Sequence, residues 1–332
     1  VSPVAFINPR SVNGGCRKDG LTAAKIEYFL IFFYLVDNFM ICFMERSAFK
    51  VFSGFLMIVT GCLISGTLYG QVNAGMVKLS YNYPEKPVKY ISKTTVNQVM
   101  DINGDKMEVN VEQVLGCTLR STARNENDLT IEIKIDTVSR IINAPNGVQG
   151  GTIKEVMGKL FQMKIAPSGK VTDLSGAEQI TFTDESGAIT NASILFNDFF
   201  PKLSTVEMVA GHKWLSTDTT NTKSPAMSMT SIVKSDNTFM GLDKVGGINC
   251  ARIVSNLSGT MEMISSDRNT GMDIKMKGPY EGSAELYFSV GDGYFIKHST
   301  NITVTGTIEI TASEVMSFPL IWESKSVNEI IE

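Results

Sequence analysis

Histidine limits the chemistry open to this chain, because only His212 and His298 occur in it. A histidine-based nucleophilic site needs one of them beside a Ser or Cys and a carboxylate. No GxSxG elbow, HExxH helix or Walker-type loop is present, and no motif suggests a cofactor. His212 stands just before Trp214 at a loop-to-strand entry, and His298 follows a strand alternation. Both are expected to be structural, and the chain is expected not to be an enzyme.

Asp101-Ile-Asn103-Gly104-Asp105 looks like half a calcium loop. The glutamate such a loop needs at its twelfth position is missing, so a hairpin turn is expected instead. Asn191, Asn256 and Asn301 each open an N-x-S/T triplet, which a chain rich in Asn, Ser and Thr produces by chance. Past the N-terminal region the cysteines are Cys117 and Cys250. One disulfide between them and two buried free thiols both fit, and no paired CxxC spacing points to a metal.

Methionine is more informative. Met227, Met229, Met240, Met261, Met263, Met272 and Met276 crowd one region. Their flexible, polarizable side chains suit an irregular core, and they equally suit a surface that adapts to apolar ligands.

The positioning elements begin after two apolar stretches. Met44 to Lys50 forms a short basic n-region, Val51 to Ile64 has the length of a signal-peptide core, and small residues precede Gln71. Cleavage between Gly70 and Gln71 is expected. Val59-Thr-Gly-Cys62 competes as a lipobox, which would acylate Cys62 and give the chain its only membrane association. Tyr28 to Val36 is a further apolar run, but the chain opens on Val while Met44 starts a complete leader. Residues 1–43 are therefore expected to be a mis-assigned upstream extension, 44–70 a signal peptide, and 71–332 an exported β-rich region, periplasmic or secreted.

The formal charge of −4 is placed unevenly. Residues 1–70 are slightly basic, which leaves a mildly acidic body with no face for nucleic acid. From Met76 onward the dominant period is two. Leu129, Ile131, Ile133 and Ile135 alternate with polar residues, as do Met272, Ile274 and Met276, and Ala284, Leu286, Phe288 and Val290. Met107, Val109 and Val111 alternate, and Val114 breaks phase near Gly116 as a β-bulge would. Ile302, Val304, Ile308 and Ile310 form another long strand, with Gly306 at an inward position.

Turn residues agree: Asn103-Gly104, Pro167-Ser-Gly169 and Gly291-Asp-Gly293 each separate two strand-like runs. Thr152–Met157 could hold one or two helical turns. Residues 189–200 carry apolar side chains at helical spacing before Pro201. The fold expected is mainly β, with long curved antiparallel strands forming a half-barrel or stacked sheets and one or two short helices. The β-rich halves, 76–185 and 204–328, would be joined by a helix at 189–200.

Gly158-Lys-Leu-Phe161, Gly169-Lys-Val171 and Gly176 form one group of landmarks, followed by Phe200-Pro-Lys-Leu203, Gly211-His-Lys-Trp214 and Phe288-Ser-Val-Gly-Asp-Gly293. Their order resembles a group of exported, β-rich bacterial envelope proteins of unknown function, common in Bacteroidetes and loosely similar to half-barrel lipoprotein carriers of the LolA/LppX type. The resemblance implies fold and compartment and carries no catalytic residue, because its motifs are turn and packing residues. Two functions remain as expectations. One is a non-enzymatic envelope protein holding a hydrophobic or lipid ligand on a concave sheet. The other is a structural module that binds a protein or glycan partner and has no ligand cavity.

Overall fold

The computed structural model describes residues 76–145, 147–183, 189–224, 227–267, 272–311 and 315–331. The leader, Cys62, Gly70, Gln71 and all of residues 1–43 lie outside them. Fourteen strands occupy most of the described chain: β1 Val88–Ile102, β2 Asp105–Arg124, β3 Leu129–Ala144, β4 Gly147–Thr152, β5 Leu160–Ile165, β6 Val171–Asp173, β7 Thr181–Thr183, β8 Ile189–Asn191, β9 Lys213–Ser224, β10 Met227–Val245, β11 Ile248–Asp267, β12 Met272–Ser289, β13 Phe295–Thr311 and β14 Val315–Ile331. Twelve of them make one antiparallel sheet in the order β6-β5-β3-β2-β1-β14-β13-β12-β11-β10-β9, with β4 beside β3. Strands β7 and β8 pair separately.

Of the two expected arrangements, the sheet is the continuous one. The first β-rich half joins the second where β1 pairs with β14, from Lys89 opposite Ile331 to Met100 opposite Leu320. Strands this long obey the period of two: inward positions of β1 from Tyr90 to Met100 are buried at every second residue. Turn chemistry sets the register. Asn103 (φ 58°) and Gly104 (φ 98°) form the two-residue hairpin between β1 and β2, and Asp101 Oδ1 accepts the Gly104 N–H at 2.7 Å. Gly246-Gly247, also left-handed at both residues, does the same between β10 and β11.

A bulge does lie beside Gly116, as the sequence suggested, but its extra residue is on β3 and not on β2. Inward parity in β2 runs unbroken through Gln113, Leu115, Cys117 and Leu119, leaving Val114 on the other face. The extra residue is Asp136 of β3: Gly116 faces Thr137, while Cys117 faces Ile135. Beyond it the buried set of β3 switches from Leu129–Ile135 to Val138, Arg140 and Ile142.

The helix expected at 189–200 is absent. Its residues form β8, a 3-10 turn over Ala192–Leu195 and an irregular passage to Pro201. Asn191 caps the turn by accepting the Ser193 N–H. Ala192, Ile194, Leu195, Phe196, Phe199 and Phe200 are all buried, so their spacing reflects a loop embedded in core on every side, not one apolar stripe. Thr152–Met157 is likewise a turn, and the short helix α1 is Ser175–Glu178.

Two hydrophobic clusters fill the inner face. The first gathers Tyr81, Tyr83, Tyr90, Phe161, Phe196, Phe199, Phe200, Phe288 and Phe295, partly from the sheet and partly from segments laid over it. The second consists of sheet residues alone, among them Met100, Met107, Met229, Met261, Met263, Met276 and Trp322. Residues of a single sheet can bury each other this way only if the sheet curls over its own inner face. Glycines make the curl tight: a Cβ on Gly306 would sit 2.3 Å from the Lys277 carbonyl oxygen, and one on Gly282 would meet Asn301 O at 2.1 Å. The rolled sheet stays open, with β6 and β9 as its two ends.

Candidate functional site

Some of the landmarks behind the family resemblance, Gly169, Phe200, Pro201 and Phe288, converge on Tyr81. Its hydroxyl donates to Pro201 O at 2.8 Å, its N–H donates to Pro167 O, and Leu203 N–H donates to Ser168 O. Phe200 and Phe288 meet the Tyr81 ring edge-on at 5.8 and 5.1 Å. Gly169 (φ 85°) has no room for a side chain, since a Cβ there would lie 2.5 Å from the Tyr81 ring. These residues hold the plug, the segments 77–83 and 192–208 laid over the sheet, in place. They carry packing rather than reaction chemistry.

The titratable residues do not assemble. His212 stacks on Trp214 with centroids 5.9 Å apart. His298 points into the roll from β13, where burial pulls its pKa down to about 4 and keeps the imidazole neutral. Cys117 and Cys250 are both buried and free in this structure, and burial raises both thiol pKa values. Asp198, in the plug, is pushed up to about 6 by burial, with Lys202 opposing the shift. Lys202 also pairs with Asp218 of β9. Among the described residues no group of three or more His, Cys, Asp or Glu side chains could hold a metal ion. Asp101 and Asp105 flank the first hairpin. Asn301 is buried, whereas Asn256 is exposed on β11.

What sequence reasoning missed is a polar row across the inner face. Register places Arg140, Gln113, Thr94, Ser326, Thr300, Ala284, Ser255 and Asn237 opposite one another on β3, β2, β1, β14, β13, β12, β11 and β10. Only Ala284 interrupts it. Thr94 donates to Ser326 Oγ at 3.1 Å, and Ser255 donates to Asn237 Oδ1 at 2.7 Å. Ser92, Asn328, His298 and Ser324 widen the row around β1, β14 and β13. No strand contributes more than three polar residues, and β12 contributes none, so no stretch of sequence shows the row.

The outer face is charged. Cross-strand pairs Lys277–Glu309 (2.6 Å), Lys297–Glu329 (2.8 Å), Arg252–Glu285 (2.6 Å) and Arg120–Glu132 (2.7 Å) run over it. A membrane-spanning barrel carries the opposite polarity, apolar outside and polar within. Two clefts of about 240 and 300 Å³ are open to solvent. The first lies between Lys78, Asn82, Arg124 and Gly291, the second between Thr130, Gln162, Asp173 and Gln179. Both stand at or below the small end of ligand pockets.

These features define an open, rolled antiparallel sheet with an apolar interior and a wetted exterior. No family model and no curated protein matches the chain. Among solved structures, the β domain of the Bordetella autotransporter BrkA overlaps 74% of this chain and 100% of its own, at 7% identity and a TM-score of 0.20. Pseudomonas aeruginosa OccK2, solved with glucuronate, covers 76% of this chain and 100% of its own at 5% identity and a TM-score of 0.22. A DUF1329 family protein from Desulfovibrio piger covers 72% of this chain and 85% of its own at 9% identity and a TM-score of 0.10. Similarity this loose carries no argument about function or compartment.

Proposed function

We propose that this protein is an exported, non-enzymatic module of a bacterial envelope that binds an extended segment of a partner protein along an edge of its sheet. The observation that carries the reading is the inner face, which is occupied by the protein's own side chains. In the second cluster Met100, Met263, Met276, Val304 and Trp322 have essentially no exposed surface. A lipid carrier of the half-barrel kind needs that space, so the interaction reading is the better supported of the two. The leader-like segment 44–70 supports an exported reading, and the scattered titratable groups support a non-enzymatic one.

Strand β9 is the favoured edge. It pairs only with β10, and its Leu215 is 82% exposed, the most exposed large apolar side chain among the described residues. A free strand edge offers main-chain hydrogen bonds to a further strand, and side chains at alternate positions add specificity. A photo-crosslinking residue at Leu215 or Thr217 should capture an envelope protein in cells, whereas one at Thr305, exposed in mid-sheet, should not. Capture from Thr305 alone, or from no position, would remove the edge as the binding surface.

A further inference from the structure

The polar row contains atoms whose needs the protein does not meet. Trp322 Nε1, Ser324 Oγ and Asn328 Oδ1 are buried and have no hydrogen-bond partner. All three project inward from β14. Trp322 is 0% exposed and Ser324 is 1% exposed.

Register explains the shortage. Ser324 lies between Val96 of β1 and Ile302 of β13, neither of which offers a polar side-chain atom. Trp322 lies between Val304 of β13 and the buried Gln98 of β1, yet its indole N–H meets no acceptor. Asn328 lies between Ser92 and His298, while Ser326 is engaged with Thr94. Buried polar groups are almost always satisfied, and where protein atoms fail, ordered water takes their place.

We propose that Trp322 and Ser324 mark a buried site for a small neutral hydroxylic molecule, filled in solution by ordered water. Its chemistry is mixed: an indole donor and a hydroxyl that both donates and accepts. Same-face neighbours on a strand lie about 7 Å apart, a span that one bridging molecule covers between Trp322 and Ser324. A charged guest does not fit. The polar side chains nearby are Gln98, Thr94 and Ser326, all uncharged, and Arg140 lies three strands from β14, roughly 14 Å across the sheet. The apolar neighbours Val96, Ile302 and Val304 limit the guest's size. The inference is independent of the proposed binding edge, because β14 lies in mid-sheet.

The full chain has two tryptophans, Trp214 and Trp322, so a tryptophan-labelled sample gives two indole N–H signals, assigned with Trp322→Phe. The Trp322 signal should show a cross-peak to long-lived water, and Ser324→Val, which fills the site with methyl groups, should remove it. A wild-type protein without that cross-peak, or a cross-peak that survives Ser324→Val, overturns the proposal. Should Ser324→Val fail to fold, Ser324→Ala gives the sign. A hydrated site predicts a fall in melting temperature of about 2 °C. A rise would mean the hydroxyl had been a dry, unsatisfied group and would refute hydration.

Discussion

The two ends of the roll bury the same alternating strand pattern by different means. In the first cluster, aromatic side chains from residues 77–83 and 192–208 are inserted over the sheet, and Tyr81, Tyr83 and Tyr90 tie them down with buried hydroxyls. In the second, nothing is inserted. The open sheet curls over its own inner face, and methionines take up the irregular space. Rigid rings held by specific hydrogen bonds make the first region sensitive to shape, while flexible thioethers make the second tolerant. The polar row lies along the boundary between them.

The largest expected effect tests that contrast directly. Phe200→Ala removes a ring packed edge-on against Tyr81, Tyr83 and Phe199 and should cost about 3–5 kcal/mol in urea unfolding. Met263→Leu, equally buried in the other cluster, should cost less than about 1.5 kcal/mol. Comparable losses would dissolve the distinction.

Next come two half-buried titratable groups, His298 and Asp198. His298 is depressed to about 4, so its contribution is present above the unfolded value near 6.5 and is lost as pH falls towards 4. Asp198 is raised to about 6, so its contribution is present below the ordinary carboxylate value and is lost as pH rises through 6. Between pH 4 and 6 the slopes oppose, each bounded by about 1.4 kcal/mol per pH unit. Relative to wild type, the stability of His298→Asn should fall as pH rises across that window, and that of Asp198→Asn should rise. Parallel curves for all three proteins would show that neither group is coupled to folding.

A smaller effect is expected at the plug. Tyr81→Phe leaves Pro201 O without its donor and should cost about 1 kcal/mol by thermal unfolding. Smallest of all, Lys277→Ala on the outer face should leave the melting temperature unchanged within error, because exposed ion pairs contribute little.

Much of the fold was legible in the sequence because its signals are local. Asn103-Gly104 forms the hairpin it predicts, and the run from Leu129 to Ile135 alternates as a half-wet strand must. Gly246-Gly247 carried the same kind of turn signal and could have been read. The helix at 189–200 was an illusion of spacing, since a loop buried on all sides also places apolar residues at helical intervals. Val114 signals a bulge near Gly116, which the pairing shows, but the residue skipped in the register is Asp136 of β3, visible only once β2 and β3 are paired. The polar row was beyond reach for the same reason: Thr94, Ser326 and Thr300 become neighbours through register, not through sequence.

The central claim is that the protein fills its own interior, which separates an interaction module from a carrier. Native mass spectrometry of the protein purified from the envelope without added lipid, followed by organic extraction, tests it most directly. The account predicts a mass equal to the polypeptide plus any covalent modification, and an extract free of stoichiometric lipid. A released apolar molecule at one equivalent per chain would contradict it and restore the concave face as a ligand site.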